Sequence, residues 1–151
     1  MIPSPPRDKD DPRALARLKG QSVLVVDDDT ETLNALRRLL RDMPYKFLST
    51  DRPYKALDWV GASNVSLVIT DQRMPEMLGT RLLQEVARRS PATARFLLTG
   101  YYESQEVLEA VGRVVQGVIT KPWDGQALKR TILAILRWQD ERVHTAGSHA
   151  G

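Results

Sequence analysis

Three consecutive carboxylates, Asp27, Asp28 and Asp29, follow the apolar run SVLVV. A fourth, Asp71, follows VSLVIT, the hydroxyl of Thr99 ends ARFLLT, and Lys121 follows GVIT and precedes Pro122. Packed carboxylates repel, and each raises the cost of ionising its neighbours. A hard divalent cation removes that cost, and Mg²⁺ favours a few carboxylate oxygens together with water and phosphate. Asp27, Asp28 and Asp71 ionised carry −3, which Mg²⁺ and Lys121 together cancel. A carboxylate in such a pocket can attack phosphorus and become an aspartyl phosphate. Mg²⁺ and Lys121 can each hold one equatorial oxygen, and the Thr99 hydroxyl or a backbone N–H the third. Each residue also has a plainer use. Asp29 or Thr30 suits the N-cap of a helix, Asp71 a turn, Thr99 a strand end and Lys121 the surface. The chemistry requires all of them at one edge.

The elements that would deliver them alternate along the chain. Strand-length apolar runs occur at Ser22–Val26, Tyr45–Thr50, Val65–Thr70, Ala94–Thr99 and Gly117–Thr120. Most are nearly continuous in apolar residues, as strands buried on both faces should be. The second alternates more, which places it at or near an edge. Between them lie helical patterns. Leu33, Leu36 and Leu40 form one stripe, broadened by Leu39 and Met43 and stopped at Pro44. Further helices are predicted at Pro53–Val60, Thr80–Arg89, Ser104–Val115 and Gly125–Arg142, with Pro91 and Gly117 marking two exits. Five βα repeats imply an α/β fold: a five-stranded parallel sheet with helices on both faces. In such open sheets the binding crevice lies beyond the carboxyl ends of the strands, which is where the four chemical groups stand.

The chain has 151 residues, enough for one domain: a mobile arm over residues 1–20 with a helical turn near Ala14–Leu18, a folded unit over 21–142, and a frayed tail over 143–151. With 42% hydrophobic and 27% charged residues the composition is that of a globular protein. No apolar run approaches a membrane span, and MIPSPPRDKDDPR offers no signal-peptide core. Absence of cysteine removes disulfides, thiolate metal sites and cysteine nucleophiles, and fits a cytoplasmic location. The net charge of +3 resides mostly in residues 1–20, where five basic and three acidic side chains leave +2. The clusters Arg37–Arg38–Arg41 and Arg88–Arg89 read as solvated helix faces, so neither nucleic acid nor membrane is an expected partner.

Four segments carry a family likeness: VLVVDDD (23–29), LVITDQRMPEMLGTRLL (67–83), FLLTGY (96–101) and ITKPWD (119–124). In order and spacing, from about residue 21 to 140, they resemble the two-component response-regulator receiver domain. The resemblance implies a flavodoxin-like (βα)5 fold and a phosphoacceptor switch that catalyses only its own phosphorylation and dephosphorylation. It implies Asp71 as acceptor, Thr99 as switch hydroxyl and Lys121 as phosphate partner. Mg²⁺ would sit on Asp28 directly, on Asp27 largely through water, on Asp71, and on the Arg73 backbone carbonyl. Gly100 would leave room beside the phosphate, Pro75 and Gly79 would shape the loop after the acceptor, and Lys121–Pro122 would be cis. Expected partners are a sensor histidine kinase or phosphotransfer protein, an output domain or effector outside this chain, and a second copy. The wording is similar to that of receivers on enhancer-binding activators and cyclic-dinucleotide phosphodiesterases.

In one respect the chain departs from the pattern. Val118 stands where many receivers have Tyr or Phe, three residues before the lysine. A Thr-to-aromatic switch is then unsupported, which leaves the helix after the fourth strand, or Tyr101 and Tyr102, to serve. Arg73 and Tyr101 also flank the site. The apolar set Leu128, Ile132, Leu133, Ile135 and Leu136 exceeds one stripe, so part of it could form a dimer face; Trp138–Val143 could lead into a linker. Rival chemistries fail on residues. A haloacid-dehalogenase-type phosphatase needs Thr or Val where Glu31 stands, no GxxxxGK[ST] loop exists, and the histidines, His144 and His149, lie in the tail. The remaining alternative is a receiver-like docking module that works without phosphorylation.

Overall fold

The computed structural model describes residues 12–100 and 102–149. Five strands, β1 (Ser22–Val26), β2 (Lys46–Thr50), β3 (Leu67–Thr70), β4 (Ala94–Thr99) and β5 (Gly117–Thr120), pair in parallel in the order β2-β1-β3-β4-β5. The helices are α1 (Pro12–Lys19), α2 (Thr30–Leu40), α3 (Pro53–Ala62), α4 (Gly79–Arg89), α5 (Gln105–Ala110) and α6 (Gly125–His149). The arrangement is the flavodoxin-like fold. As predicted, β2 is an edge strand; β5 is the other.

Alternation along the strands makes two cores. Val23 and Val25 face one side with Leu18, Leu33, Leu36, Ile132 and Ile135 from α1, α2 and α6. Leu24 and Val26 face the other with Leu57, Leu83 and Val107 from α3, α4 and α5. Every residue of β1, β3 and β4 is buried, which explains their unbroken apolar sequences. Of the apolar set that the sequence marks in α6, Leu128, Ile132, Ile135 and Leu136 are spent on the first core, and Leu133 packs against it partly buried.

Local chemistry sets the helix ends. Asp29 is the N-cap of α2: its side chain accepts from the Glu31 N–H at 3.0 Å and the Thr32 hydroxyl at 2.9 Å. Pro53 opens α3, where its missing N–H is harmless. The helix predicted over Ser104–Val115 ends instead at Ala110. Gly112 turns the chain at φ +85°, a conformation glycine adopts without a Cβ clash, and Val111 and Val115 form a bridge across the turn. The spacing of Val107, Val111, Val114 and Val115 imitates a helical stripe, but branched side chains suit the extended turn as well.

The ends also differ from the sequence boundaries. Residues 12–19, read as part of an arm, form α1, whose Leu18 is 2% exposed in the core and whose Arg17 pairs with Asp140 of α6 at 3.4 Å. Residues 1–11 of that arm lie outside the described residues. Helix α6 continues past Arg142 to His149. Among the described residues no helix is long and apolar enough to cross a membrane.

Candidate functional site

Register brings the four strand ends to one edge. Val26 lies opposite Thr70, so the next residues, Asp27 and Asp71, are neighbours, and the Asp71 N–H donates to the Val26 carbonyl at 3.0 Å. Thr99 lies opposite Thr120, and the Lys121 N–H donates to the Thr99 carbonyl at 3.1 Å. The cis Lys121–Pro122 peptide follows, as the sequence likeness implied. Carboxylate oxygens of Asp27, Asp28 and Asp71 all lie within 4.8 Å of one another. Asp27 is buried, Asp71 half-buried and Asp28 exposed, so the pocket opens to solvent on the Asp28 side.

Lys121 joins the two inner carboxylates. Its ammonium donates to Asp27 Oδ2 at 2.7 Å and to Asp71 Oδ2 at 3.0 Å. Asp27 Oδ1 accepts the Asp29 N–H at 2.9 Å, and Asp71 Oδ1 accepts the Gln72 N–H at 2.7 Å. Burial pushes the Asp27 carboxyl above its ordinary range; the Lys121 and Asp29 hydrogen bonds and the Lys121 charge oppose that, while the Asp71 charge adds to it. Burial alone would pull Lys121 down, but its bonds to Asp27 and Asp71 and their charges hold it above its usual value. One lysine therefore serves carboxylates that outnumber it, and what is missing is about two positive charges in a setting of hard oxygen donors. The site is an acidic pocket fit for a divalent cation.

The loop after Asp71 is closed by Gly79, as the likeness implied, and by Gln72 and Thr70, which the motif reading left without a role. Gln72 is 1% exposed. Its carbonyl accepts from the Gly79 N–H at 2.9 Å, its Oε1 from the Thr80 N–H at 2.9 Å, and its Nε2 donates to Thr80 Oγ1 at 3.2 Å. A Cβ on Gly79 would overlap the Asp71 carbonyl oxygen, so only glycine lets α4 begin there. Thr70 is fully buried and its hydroxyl donates to that same carbonyl at 3.0 Å.

Residues 23–133 match the family described as the response regulator receiver domain. The chain belongs to that family. The receiver is 36% identical over 106 residues to the hydrogenase transcriptional regulatory protein HoxA of Cupriavidus necator, covering 70% of this chain and 22% of that protein. It is 32% identical over 110 residues to the transcriptional regulatory protein ZraR of Escherichia coli, covering 73% and 25%. It thus spans about a quarter of the length of these relatives. Among solved structures, the signal receiver domain of an HD domain-containing protein from Pseudomonas fluorescens Pf-5 superposes with a TM-score of 0.78 at 28% identity, covering 83% and 93% of the two chains.

Asp27, Asp28, Asp71 and Lys121 are gathered by the receiver fold, and Thr99 is fully buried at the end of β4, beside them in register. Gly100 has open space around its Cβ position. Val118 packs partly buried against the core on the α3–α5 side. Tyr102 is exposed, and Tyr101 lies outside the described residues. The contribution of Gln72 could have been suspected from its place beside Asp71, with Gly79–Thr80 opening a helix that lacks a capping side chain of its own.

Proposed function

We propose that this receiver accepts a phosphoryl group on Asp71 from a sensor histidine kinase or phosphotransfer protein and switches conformation as a result. The observation that carries the reading is the shared lysine: Asp27 and Asp71 both bond to Lys121 inside a three-carboxylate cluster. In transfer, an Asp71 oxygen forms its bond to phosphorus as the bond from phosphorus to the donor's nitrogen breaks, and the electron pair leaves with that nitrogen. Lys121 then exchanges a carboxylate for a phosphoryl oxygen, keeping its ion pairing throughout. The Thr99 hydroxyl moves to another phosphoryl oxygen, and the space at Gly100 admits the group. The same pocket lets water attack the aspartyl phosphate, so the receiver also resets itself.

Asp27, Asp28, Asp71 and the Arg73 carbonyl would hold Mg²⁺. When bound, the ion withdraws charge from the phosphoryl oxygens and keeps the carboxylates ionised. The cytoplasm, where such donors are charged, is the expected compartment. The relatives' names point to an output domain acting on transcription, or to a separate effector, with pairing of two copies as a further part of the reading. To test it, Mg²⁺ and beryllium fluoride, a tetrahedral phosphoryl mimic, are added to labelled protein and amide signals followed. Shifts at Asp71, Thr99 and Lys121 that need both additives support the reading. Shifts absent, or unchanged in Asp71→Ala, would favour a docking module that works without phosphorylation.

A further inference from the structure

We propose that Gln72 is a positioning residue for phosphoryl acceptance, latching the Asp71 carboxylate to the start of α4; this rests on the phosphoacceptor reading and deepens it. Helix α4 lacks an ordinary cap. Its N-cap residue is Leu78, which makes no side-chain cap hydrogen bond. The N–H groups of Gly79 and Thr80 are taken instead by the carbonyl and side chain of Gln72, seven and eight residues upstream. Such groups at a helix start need partners, and a buried one left without costs stability. The orientation of the Gln72 amide is fixed by chemistry. The Thr80 N–H can only donate, so Oε1 must face it, which leaves Nε2 for Thr80 Oγ1.

The latch reaches the acceptor through one more bond. The Gln72 N–H donates to Asp71 Oδ1 at 2.7 Å, while Lys121 holds Asp71 Oδ2 at 3.0 Å. A carboxylate's terminal torsion is broad, so Asp71 has a defined attack direction only while both oxygens are held. Lys121 is a flexible side chain engaged with two carboxylates. The Gln72 N–H is a rigid backbone group whose own placement is set by the bonds to Gly79 and Thr80. Gly79 sits so close to the Asp71 carbonyl that the latch and the acceptor cannot move independently. Loss of alignment at a reacting atom costs up to about 10²-fold in rate.

Labelling by acetyl phosphate, read by intact mass against time, separates this role from a merely structural one. Gln72→Leu keeps bulk, the backbone N–H and the carbonyl bond to Gly79 but removes both side-chain bonds of the latch to Thr80. Its rate at saturating donor should fall about ten-fold, with the half-saturating donor and Mg²⁺ concentrations changed less than about two-fold. Thr80→Val should slow labelling by a smaller factor, and Thr80→Ser, which keeps the hydroxyl, should restore it; this pair carries the test if Gln72→Leu does not fold. Wild-type labelling rates in both Gln72→Leu and Thr80→Val would overturn the proposal. A loss confined to the half-saturation values would also overturn it. A wild-type chain that takes no label would overturn this proposal together with the phosphoacceptor reading, whereas normal labelling of the latch variants leaves that reading standing.

Discussion

At the carboxyl edge of the sheet, one ammonium is shared between carboxylates: Lys121 donates to Asp27 and Asp71, with Asp28 alongside. At the amino edge of the same strands, the side chains of Ser22, Thr93 and Arg95 donate to backbone carbonyls. Ser22 Oγ donates to Asn64 at 2.8 Å and Thr93 Oγ1 to Val65 at 2.8 Å. The Arg95 guanidinium donates to Val114 at 2.8 Å, Thr93 at 2.8 Å and Pro91 at 3.2 Å. Bonds to carbonyls satisfy loops that would otherwise bury unpaired acceptors, so that edge is built for stability. Bonds among unbalanced charges leave a group that a cation or a phosphoryl oxygen can displace. The two edges therefore differ in whether their bonds can be exchanged.

If the comparison holds, changes at the amino edge alter stability and leave phosphoryl chemistry alone. Arg95→Met removes three bonds to backbone carbonyls, one of them buried, and should cost about 2 kcal/mol in urea unfolding, after allowance for no longer burying a cation. The labelling rate should stay within about two-fold, and a larger change would mean that the amino edge communicates with the site. Next in size is the effect of Mg²⁺. A ten-fold excess over its dissociation constant should stabilise the wild type by about 1.4 kcal/mol, and Asp27→Asn should lose most of that gain. Equal stabilisation of both proteins would place the ion elsewhere. Thr93→Val, which orphans the Val65 carbonyl, should cost about 1 kcal/mol with no effect on labelling.

The smallest effect at neutral pH belongs to Tyr45, at the amino end of β2. Its hydroxyl is buried without a hydrogen-bond partner among the described residues, and burial, with the nearby Asp42 charge, raises its pKa. The unfolded chain ionises near its ordinary value of about 10 while the folded chain does not. Stability is therefore retained below that pH and lost as pH rises past it. Tyr45→Phe should change neutral-pH stability by less than about 0.5 kcal/mol and flatten the alkaline loss. An unchanged alkaline slope would assign it to other groups.

Much of this was legible in the sequence because the informative residues obey short-range rules. Ser22–Val26, Ala94–Thr99 and Gly117–Thr120 were bounded correctly, since strands between helices carry unbroken apolar runs and end where chemistry begins. Asp27, Asp28, Asp71, Thr99 and Lys121 could be grouped because parallel strands deliver their carboxyl ends to one side. What stayed hidden depends on contacts between distant segments. The docking of Leu18 beneath α6 has no local signature beyond a short basic helix, and the valines after Ala110 fit a helix or a turn equally until Gly112 decides. Gln72 has no signal of its own in the sequence, because its bonds to Gly79 and Thr80 exist only once the loop has closed.

The central claim is tested most directly by intact-mass measurement after incubation with acetyl phosphate, with Mg²⁺ or with chelator, for the wild type and Asp71→Asn. The expected result is a gain of about one phosphoryl group in the wild type with Mg²⁺, none with chelator and none in Asp71→Asn. Full labelling of Asp71→Asn, or labelling indifferent to Mg²⁺, would contradict the assignment of Asp71 and its carboxylate cluster as the phosphoryl site.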